Sequence, residues 1–172
     1  FIVFEGIDGS GKSTLANATM EILKRRGVPA VLSCEPTREG EIGKLIRKIL
    51  THQVPMPRGD AFALLFEADR VEHKQWIRDQ LDDGVAVVCD RYELSTIAYQ
   101  ATWHHDDGDS IRSEIGRKRS MLRRIQRQYP LPADMTFVLN LPVEDALARL
   151  QTTRTSLDVY ETRHALESAA HF

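Results

Sequence analysis

The chain has little that would take it out of a reducing, aqueous compartment. Cys34 and Cys89 are the only two cysteines among its 172 residues. That is too few for a disulfide scaffold and suits a cytoplasmic protein. The longest apolar runs, Ala61–Phe66 and Val85–Cys89, fall far short of the about 20 residues a helix needs to span a bilayer. No secretory leader stands at the start. Charge of one sign is missing too: the net charge is −2, so no global field draws the chain onto nucleic acid or a membrane. Repeats, low-complexity tracts and Pro/Gly-rich linkers are absent, which leaves a single domain over 1–172 as the expectation. With 42% hydrophobic and 28% charged residues, neither a disordered nor a fibrous chain fits. The first residue lies inside an apolar run and is not Met, so a trimmed N-terminus is expected.

What is present is a phosphate loop. Gly6-Ile7-Asp8-Gly9-Ser10-Gly11-Lys12-Ser13 fits G-x-x-x-x-G-K-[ST]. Glycines allow a tight turn whose N–H groups converge on an anion, and the helix that follows adds the positive end of its dipole. Lys12 would reach the terminal phosphates of a nucleotide and Ser13 would hold Mg²⁺. The setting is right: Phe1-Ile2-Val3-Phe4 reads as a strand, and Ser13–Arg26 as a helix with Leu15, Ala18, Ile22 and Leu23 on one face. ATP binding is therefore expected over Gly9, Ser10, Gly11, Lys12, Ser13 and Thr14.

Short β-type runs alternate with helical stretches. Strands are expected at Phe1–Glu5, Ala30–Cys34, Val85–Cys89 and Met135–Leu139. All four are apolar throughout, as in parallel strands buried on both faces. Helices are expected at Ser13–Arg26, Glu41–Leu50, Asp60–Leu81, Ser110–Gln128, Val143–Gln151 and Val159–Ala170. The alternation predicts an α/β fold: a parallel sheet with helices on both faces and ligands beyond the carboxyl ends of the strands.

Other motifs fall at those ends. After the third strand come Asp90-Arg91-Tyr92, Ser95 and Ala98-Tyr99-Gln100. Asp90 is placed to hold Mg²⁺ or its water shell, and Arg91 to grip a phosphate; a salt bridge at a strand end is the plainer alternative. After the second strand, Arg38 is either a phosphate contact or a solvated loop arginine. Phe66 and Arg70 share a face of the long helix, with Phe62 a turn earlier. Such a pair suits a nucleobase, although aromatics on a helix more often serve as core. Arg154 lies in Arg154–Glu161, which is either a mobile lid that closes on a transferring phosphoryl group or an ordinary polar connection.

In this order the motifs resemble the thymidylate kinase family, within the P-loop nucleoside monophosphate kinases. The resemblance rests on Phe4–Thr14, Glu35-Pro36, Leu64–Arg70, the Asp90-to-Gln100 block, Ala133–Leu139 and Arg154…Asp158…Glu161. It implies transfer of the ATP γ-phosphoryl to dTMP, giving dTDP and ADP, with Mg²⁺. It further implies that Asp8 meets the sugar 3′-hydroxyl, that Phe66 stacks on thymine and that Arg70 bonds its carbonyl edge. Arg38 and Arg91 would clamp the acceptor phosphate, Tyr99 would crowd the 2′ position, and Gln100 completes that substrate block. The family places a catalytic arginine in the phosphate loop or in the lid; with Gly9 in the loop, Lys12, Arg91 and Arg154 are the implied catalytic cations and 151–161 the lid. A homodimer is implied, with Asp60–Leu81 as one surface. The chain departs from the family at Ala101, where Gly is usual, across Thr102–Leu131, and in stopping at Phe172 without the family's fifth strand and final helix. A sheet edge is therefore expected to stand exposed.

Other signals point elsewhere less well. The basic stretch Arg112–Arg127 carries Ile111, Ile115, Leu122 and Ile125 at helical spacing, so an amphipathic helix explains it without nucleic acid. His104-His105-Asp106-Asp107-Gly108-Asp109 matches no metal cage and reads as a solvated loop. A GTPase would need Asn-Lys-x-Asp, which does not occur. A kinase for another nucleoside monophosphate or a deoxynucleoside, and a silent nucleotide-binding module, are the remaining rivals.

Overall fold

The four apolar runs fold as parallel strands of one sheet. The computed structural model describes residues 1–101, 111–153 and 162–170. Strands β1 (Ile2–Gly6), β2 (Ala30–Cys34), β3 (Ala86–Asp90) and β4 (Met135–Leu139) lie in the order β2-β3-β1-β4. Helices α1 (Lys12–Arg25), α2 (Glu41–Leu50), α3 (Gly59–Asp82), α4 (Glu93–Tyr99), α5 (Ile111–Gln128), α6 (Val143–Thr153) and α7 (Arg163–Ala170) connect and cover them. β2 and β4 lie on opposite sides of the β1–β3 pair, so the chain changes winding direction there. A ligand crevice is expected at such a switch point. Phe4 pairs with Asp90, and Cys34 also pairs with Asp90, which brings the carboxyl ends of β1, β2 and β3 level.

Alternation along β1 feeds two cores. Ile2 and Phe4 pack with Val88, Ala16, Met20 and Leu23 under α1. Phe1 and Val3 pack with Val87, Cys89, Ile77 and Tyr92 under α3. Burial on both faces, expected of all four strands, holds for β1 and β3. It fails for β2, where Leu32 is 44% exposed, and for β4, where Met135, Phe137 and Val138 are 56%, 46% and 63% exposed. Among the described residues β4 pairs only with β1, and an edge strand has no neighbour to shield its outer side.

Two helices differ from expectation. α4 is a seven-residue helix inside the Asp90-to-Gln100 block, too short to show a period. The final helix begins at Arg163 rather than Val159, and 159–161 lie outside the described residues. In α5, Leu122 is buried against Ala63, Ile97 and Ala101. Two of its basic residues are engaged in ion pairs, Arg117 with Asp60 (2.9 Å) and Lys118 with Glu114 (2.8 Å). The two thiols are free; the register sets Ser33, not Cys34, opposite Cys89. Among the described residues no helix is long and apolar enough to cross a membrane.

Ile77 is fully buried between α3 and the sheet. Ile77→Ala is expected to cost about 2–5 kcal/mol of unfolding free energy in denaturant titration. Val138→Thr on the exposed edge should stay within about 0.5 kcal/mol.

Candidate active site

The loop after β1 turns through glycines that no other residue could replace without strain. Gly9 and Gly11 have φ of 80° and 98°. A Cβ on Gly9 would stand 2.5 Å from the Ala146 carbonyl oxygen of α6. The slot where the family can carry a loop arginine is thus closed by backbone in this chain. Gly11 is the N-cap of α1, and Lys12 is its first residue. Lys12 is 5% exposed, and its Nζ donates to the Ile7 carbonyl (2.7 Å). Burial, with the nearby Arg91 charge adding to it, pulls its pKa down to about 8. Ser10 is buried, and its Oγ has no hydrogen-bond partner among the described residues. Ser13 and Thr14 follow on the exposed side of the first turn.

Across from Ser13 stands Asp90, the last residue of β3. Ser13 Oγ donates to Asp90 Oδ2 (2.5 Å), while the buried Asp90 Oδ1 has no hydrogen-bond partner among the described residues. A hydroxyl and a carboxylate with an uncommitted oxygen are hard oxygen donors, the chemistry Mg²⁺ prefers.

Arg91 comes next, with φ of 73°. Its Nη2 lies 2.5 Å from Asp8 Oδ1, its Nη1 donates to Ser95 Oγ (3.1 Å), and its guanidinium lies 4.9 Å from the Tyr99 ring centre. Burial works against its charge, and Asp8 and Tyr99 together more than reverse the effect. The Tyr99 hydroxyl donates to Asp8 Oδ2 (3.2 Å) and accepts from the Asp8 amide (3.1 Å). Burial pushes the phenol's pKa up, so it stays a donor. Asp8, Arg91 and Tyr99, which are 91 or fewer residues apart in sequence, meet as one cluster.

The second wall comes from α3 and the turn after β2. Asp69 accepts from Thr37 N (2.7 Å) and Thr37 Oγ1 (2.6 Å), pinning the loop that presents Arg38 to solvent. Arg47 of α2 holds the same turn, donating to the Pro36 carbonyl and to Thr37 O (3.3 Å). Phe66 is only 7% exposed and belongs to the core with Phe62, yet it also lines the cleft. It therefore packs as core, the plainer of its two readings, at a place that also borders the cleft. Arg70 is 1% exposed, bonded to Glu35 and Glu67, and reaches the cleft wall from inside. Gln100 is buried at the same wall. Arg154 lies outside the described residues, as do 154–161 of the expected lid and the His104–Asp109 stretch.

Sequence patterns did not reveal three contributors. Arg47 and Arg149 both line the cleft, and Arg149 Nη1 lies 3.5 Å from the Gly9 carbonyl. Each sits on a helix with no local motif to mark it. Glu5 is the third: its carboxylate accepts from the backbone of Tyr92 (2.9 Å) and Leu94 (3.0 Å) and from Ser95 Oγ (2.5 Å). A strand residue thus caps α4. Its signal was its place, one residue before the loop.

The cleft has a volume of about 520 Å³, within the range of small-molecule sites. Six cationic side chains line it (Lys12, Arg38, Arg47, Arg70, Arg91, Arg149) against three acidic ones (Asp8, Glu35, Asp90). The chain's net charge is negative, so this local excess is what selects anions.

Two outcomes test the loop. Gly9→Ala should lower both the melting temperature and ATP affinity, the latter about tenfold or more by titration, because the methyl must displace α6. Lys12 bears on stability through pH. Its folded pKa, about 8, lies below its ordinary value near 10.4, so the burial penalty is full below pH 8 and relieved as the native state deprotonates first. Stability of the ligand-free wild type relative to Lys12→Met should therefore rise between about pH 8 and 10.4 in denaturant titrations.

Comparison with known proteins agrees with this geometry. A family model described as thymidylate kinase matches residues 4–171. A probable thymidylate kinase of Pyrococcus horikoshii is 39% identical over 160 residues, 90% of this chain and 71% of that protein. A thymidylate kinase of Brachyspira hyodysenteriae is 35% identical over 167 residues, 96% of this chain and 75% of that protein. The solved thymidylate kinase of Candida albicans superposes with a TM-score of 0.77 at 30% identity, covering 99% of this chain and 74% of that one. With the family model spanning nearly the whole sequence, and the phosphate loop, Asp90-Arg91 pair and α3 wall meeting in one cleft, the chain belongs to the thymidylate kinase family.

Proposed function

We propose that the protein is a dTMP kinase that transfers the γ-phosphoryl group of ATP to the 5′-phosphate of dTMP, releasing dTDP and ADP. The observation that carries this is the cationic cleft that joins a phosphate loop to a second, arginine-lined subsite. A nucleoside kinase needs no cations for its acceptor, whereas Arg38 and Arg91 both line this one.

Gly9 to Thr14 cradle the ATP phosphates, with Lys12 at the terminal ones. Bound phosphate would raise the pKa of Lys12 again, since an anion favours the ammonium form. Ser13 and Asp90 would hold Mg²⁺, which when bound would neutralise charge on the transferred phosphoryl group. The attacking oxygen belongs to a phosphate whose second pKa is about 6, so it needs no general base near pH 7. Alignment and charge neutralisation remain the main tasks. Arg91 and Arg38 hold the acceptor phosphate against repulsion from ATP, and Arg154 supplies the lid's charge. Phe66 offers its face to thymine and Arg70 an N–H to the carbonyl edge. Asp8, held by Arg91 and the Tyr99 hydroxyl, takes the 3′-hydroxyl, while the Tyr99 ring crowds the 2′ position.

The family resemblance supports a homodimer; exposed Leu64 and Trp76 on α3 (44% and 39%) make that helix a candidate surface. Two free thiols and a nucleotide substrate suit the cytoplasm.

The test is ADP release with ATP and Mg²⁺ across dTMP, dUMP, dCMP, dGMP, dAMP, UMP and thymidine. Strong release with dTMP and little with UMP is expected. Preference for thymidine would overturn the assignment, and silence with every acceptor would point to a binding module. Arg91→Ala should lower dTMP-dependent turnover about 10²-fold, the cost of losing one donor to transition-state charge.

A further inference from the structure

Arg70 rises from α3, but α3 alone does not aim it. Its Nε donates to Glu35 Oε2 (2.8 Å), and its Nη2 lies 2.6 Å from the same oxygen. Nη2 also donates to Thr96 Oγ1 (2.6 Å) and the Tyr92 carbonyl (3.1 Å), and Nη1 donates to Glu67 Oε1 (2.9 Å). A guanidinium carries five N–H donors. These acceptors engage Nε, both protons of Nη2 and one of Nη1, so among the described residues one Nη1 proton of this cleft-lining side chain has no acceptor.

Glu35 is itself fixed from behind. Its other oxygen, Oε1, lies 2.9 Å from His73 Nδ1. A carboxylate only accepts, so Nδ1 bears the proton. His73 Nε2 lies 2.6 Å from Ser33 Oγ, and the imidazole stacks on Trp76 at 5.6 Å and 19°. Glu35 and Arg70 line the nucleotide cleft, whereas Ser33 and His73 line an adjoining groove that shares Ser13, Cys34, Arg38 and Asp90 with it. The chain Ser33–His73–Glu35–Arg70 therefore crosses the wall between them. None of its first three members is among the residues assigned to phosphate binding above.

We propose that His73 is a positioning residue for base selection: acting through Glu35, it holds Arg70 so that the remaining Nη1 donor faces a keto oxygen on the pyrimidine edge and disfavours an amino group there. The inference rests on the dTMP kinase reading above. Without His73, Glu35 Oε1 loses its buried donor and the carboxylate turns to share both oxygens with Arg70. The guanidinium then shifts away from the base, while the phosphate loop stays as it was.

Steady-state kinetics on the full chain with dTMP, dCMP and ATP test this. His73→Phe keeps a ring on Trp76 and removes both hydrogen bonds. It should raise KM for dTMP about tenfold, lower kcat by less, leave KM for ATP unchanged and reduce the dTMP-over-dCMP preference about tenfold. His73→Asn, which restores a donor near Nδ1, should recover part of both effects. A merely structural histidine would lower the melting temperature without moving the preference between acceptors. Unchanged KM and preference in His73→Phe would overturn the proposal, as would equal loss with both acceptors. Should His73→Phe not fold, Ser33→Ala and His73→Asn carry the test: each should shift KM for dTMP in the same direction, and no shift in either overturns it. Absence of dTMP-dependent ADP release in the wild type would instead overturn the function itself.

Discussion

One buried carboxylate ties the two halves of the site together. Glu5 ends the apolar part of β1, one residue before the phosphate loop, and its oxygens accept from the first turn of α4. Burial raises its pKa, and the Ser95 hydrogen bond and the Arg91 charge work in the opposite direction. The contact makes the loop and the Asp90-Arg91-Tyr92 turn a single rigid frame. It also explains how Arg91 holds a positive φ, which costs a non-glycine residue about 1–3 kcal/mol. The amide on each side is committed: Arg91 N donates to Phe4 O (2.9 Å) and Tyr92 N to Glu5 Oε1 (2.9 Å). With both neighbours fixed to β1, the backbone between them has no other path.

From that frame the second wall is organised by α3. Three nearly successive residues of this helix reach three different places. Glu67 meets Arg70 and Gln126 of α5, Asp69 grips the turn after β2, and Arg70 meets Glu35. In a buried arginine shared between two buried carboxylates, the arginine favours the charge of each carboxylate, while the two carboxylates oppose one another. Burial opposes the charge on Glu35, but Arg70 and His73 bring its pKa below the ordinary carboxylate range. Burial and the Glu35 charge act in the opposite sense on Glu67, whose pKa rises even beside Arg70. The cluster costs desolvation, and what it returns is orientation: the groups facing the cleft are held by polar bonds rather than by apolar packing, which would not fix their direction.

Much of this was legible in the chain before any fold was known. The phosphate loop, the parallel sheet and the position of the cleft follow from local pattern, because glycine spacing, strand-length apolar runs and helical stripes act over a few residues. Phe66 shows where local pattern stops. Its spacing allowed core or base contact, and only packing revealed a core residue that also borders the cleft. α4 was hidden because seven residues show no period and its cap lies in a strand 90 residues earlier. An exposed sheet edge was expected, but that β4 forms one was hidden in its composition, which is as apolar as that of β1.

The sequence by itself determined the phosphate chemistry and the elements other than α4, since backbone turn geometry and hydrophobic period are written in neighbouring residues. Only the tertiary structure decided which charges meet. The Asp8–Arg91–Tyr99 cluster, the Ser33–His73–Glu35–Arg70 chain and the approach of Ala146 and Arg149 to the loop join residues far apart in the chain. Strand order sets those distances. An interaction that falls off over a few ångströms cannot be read until that order is known.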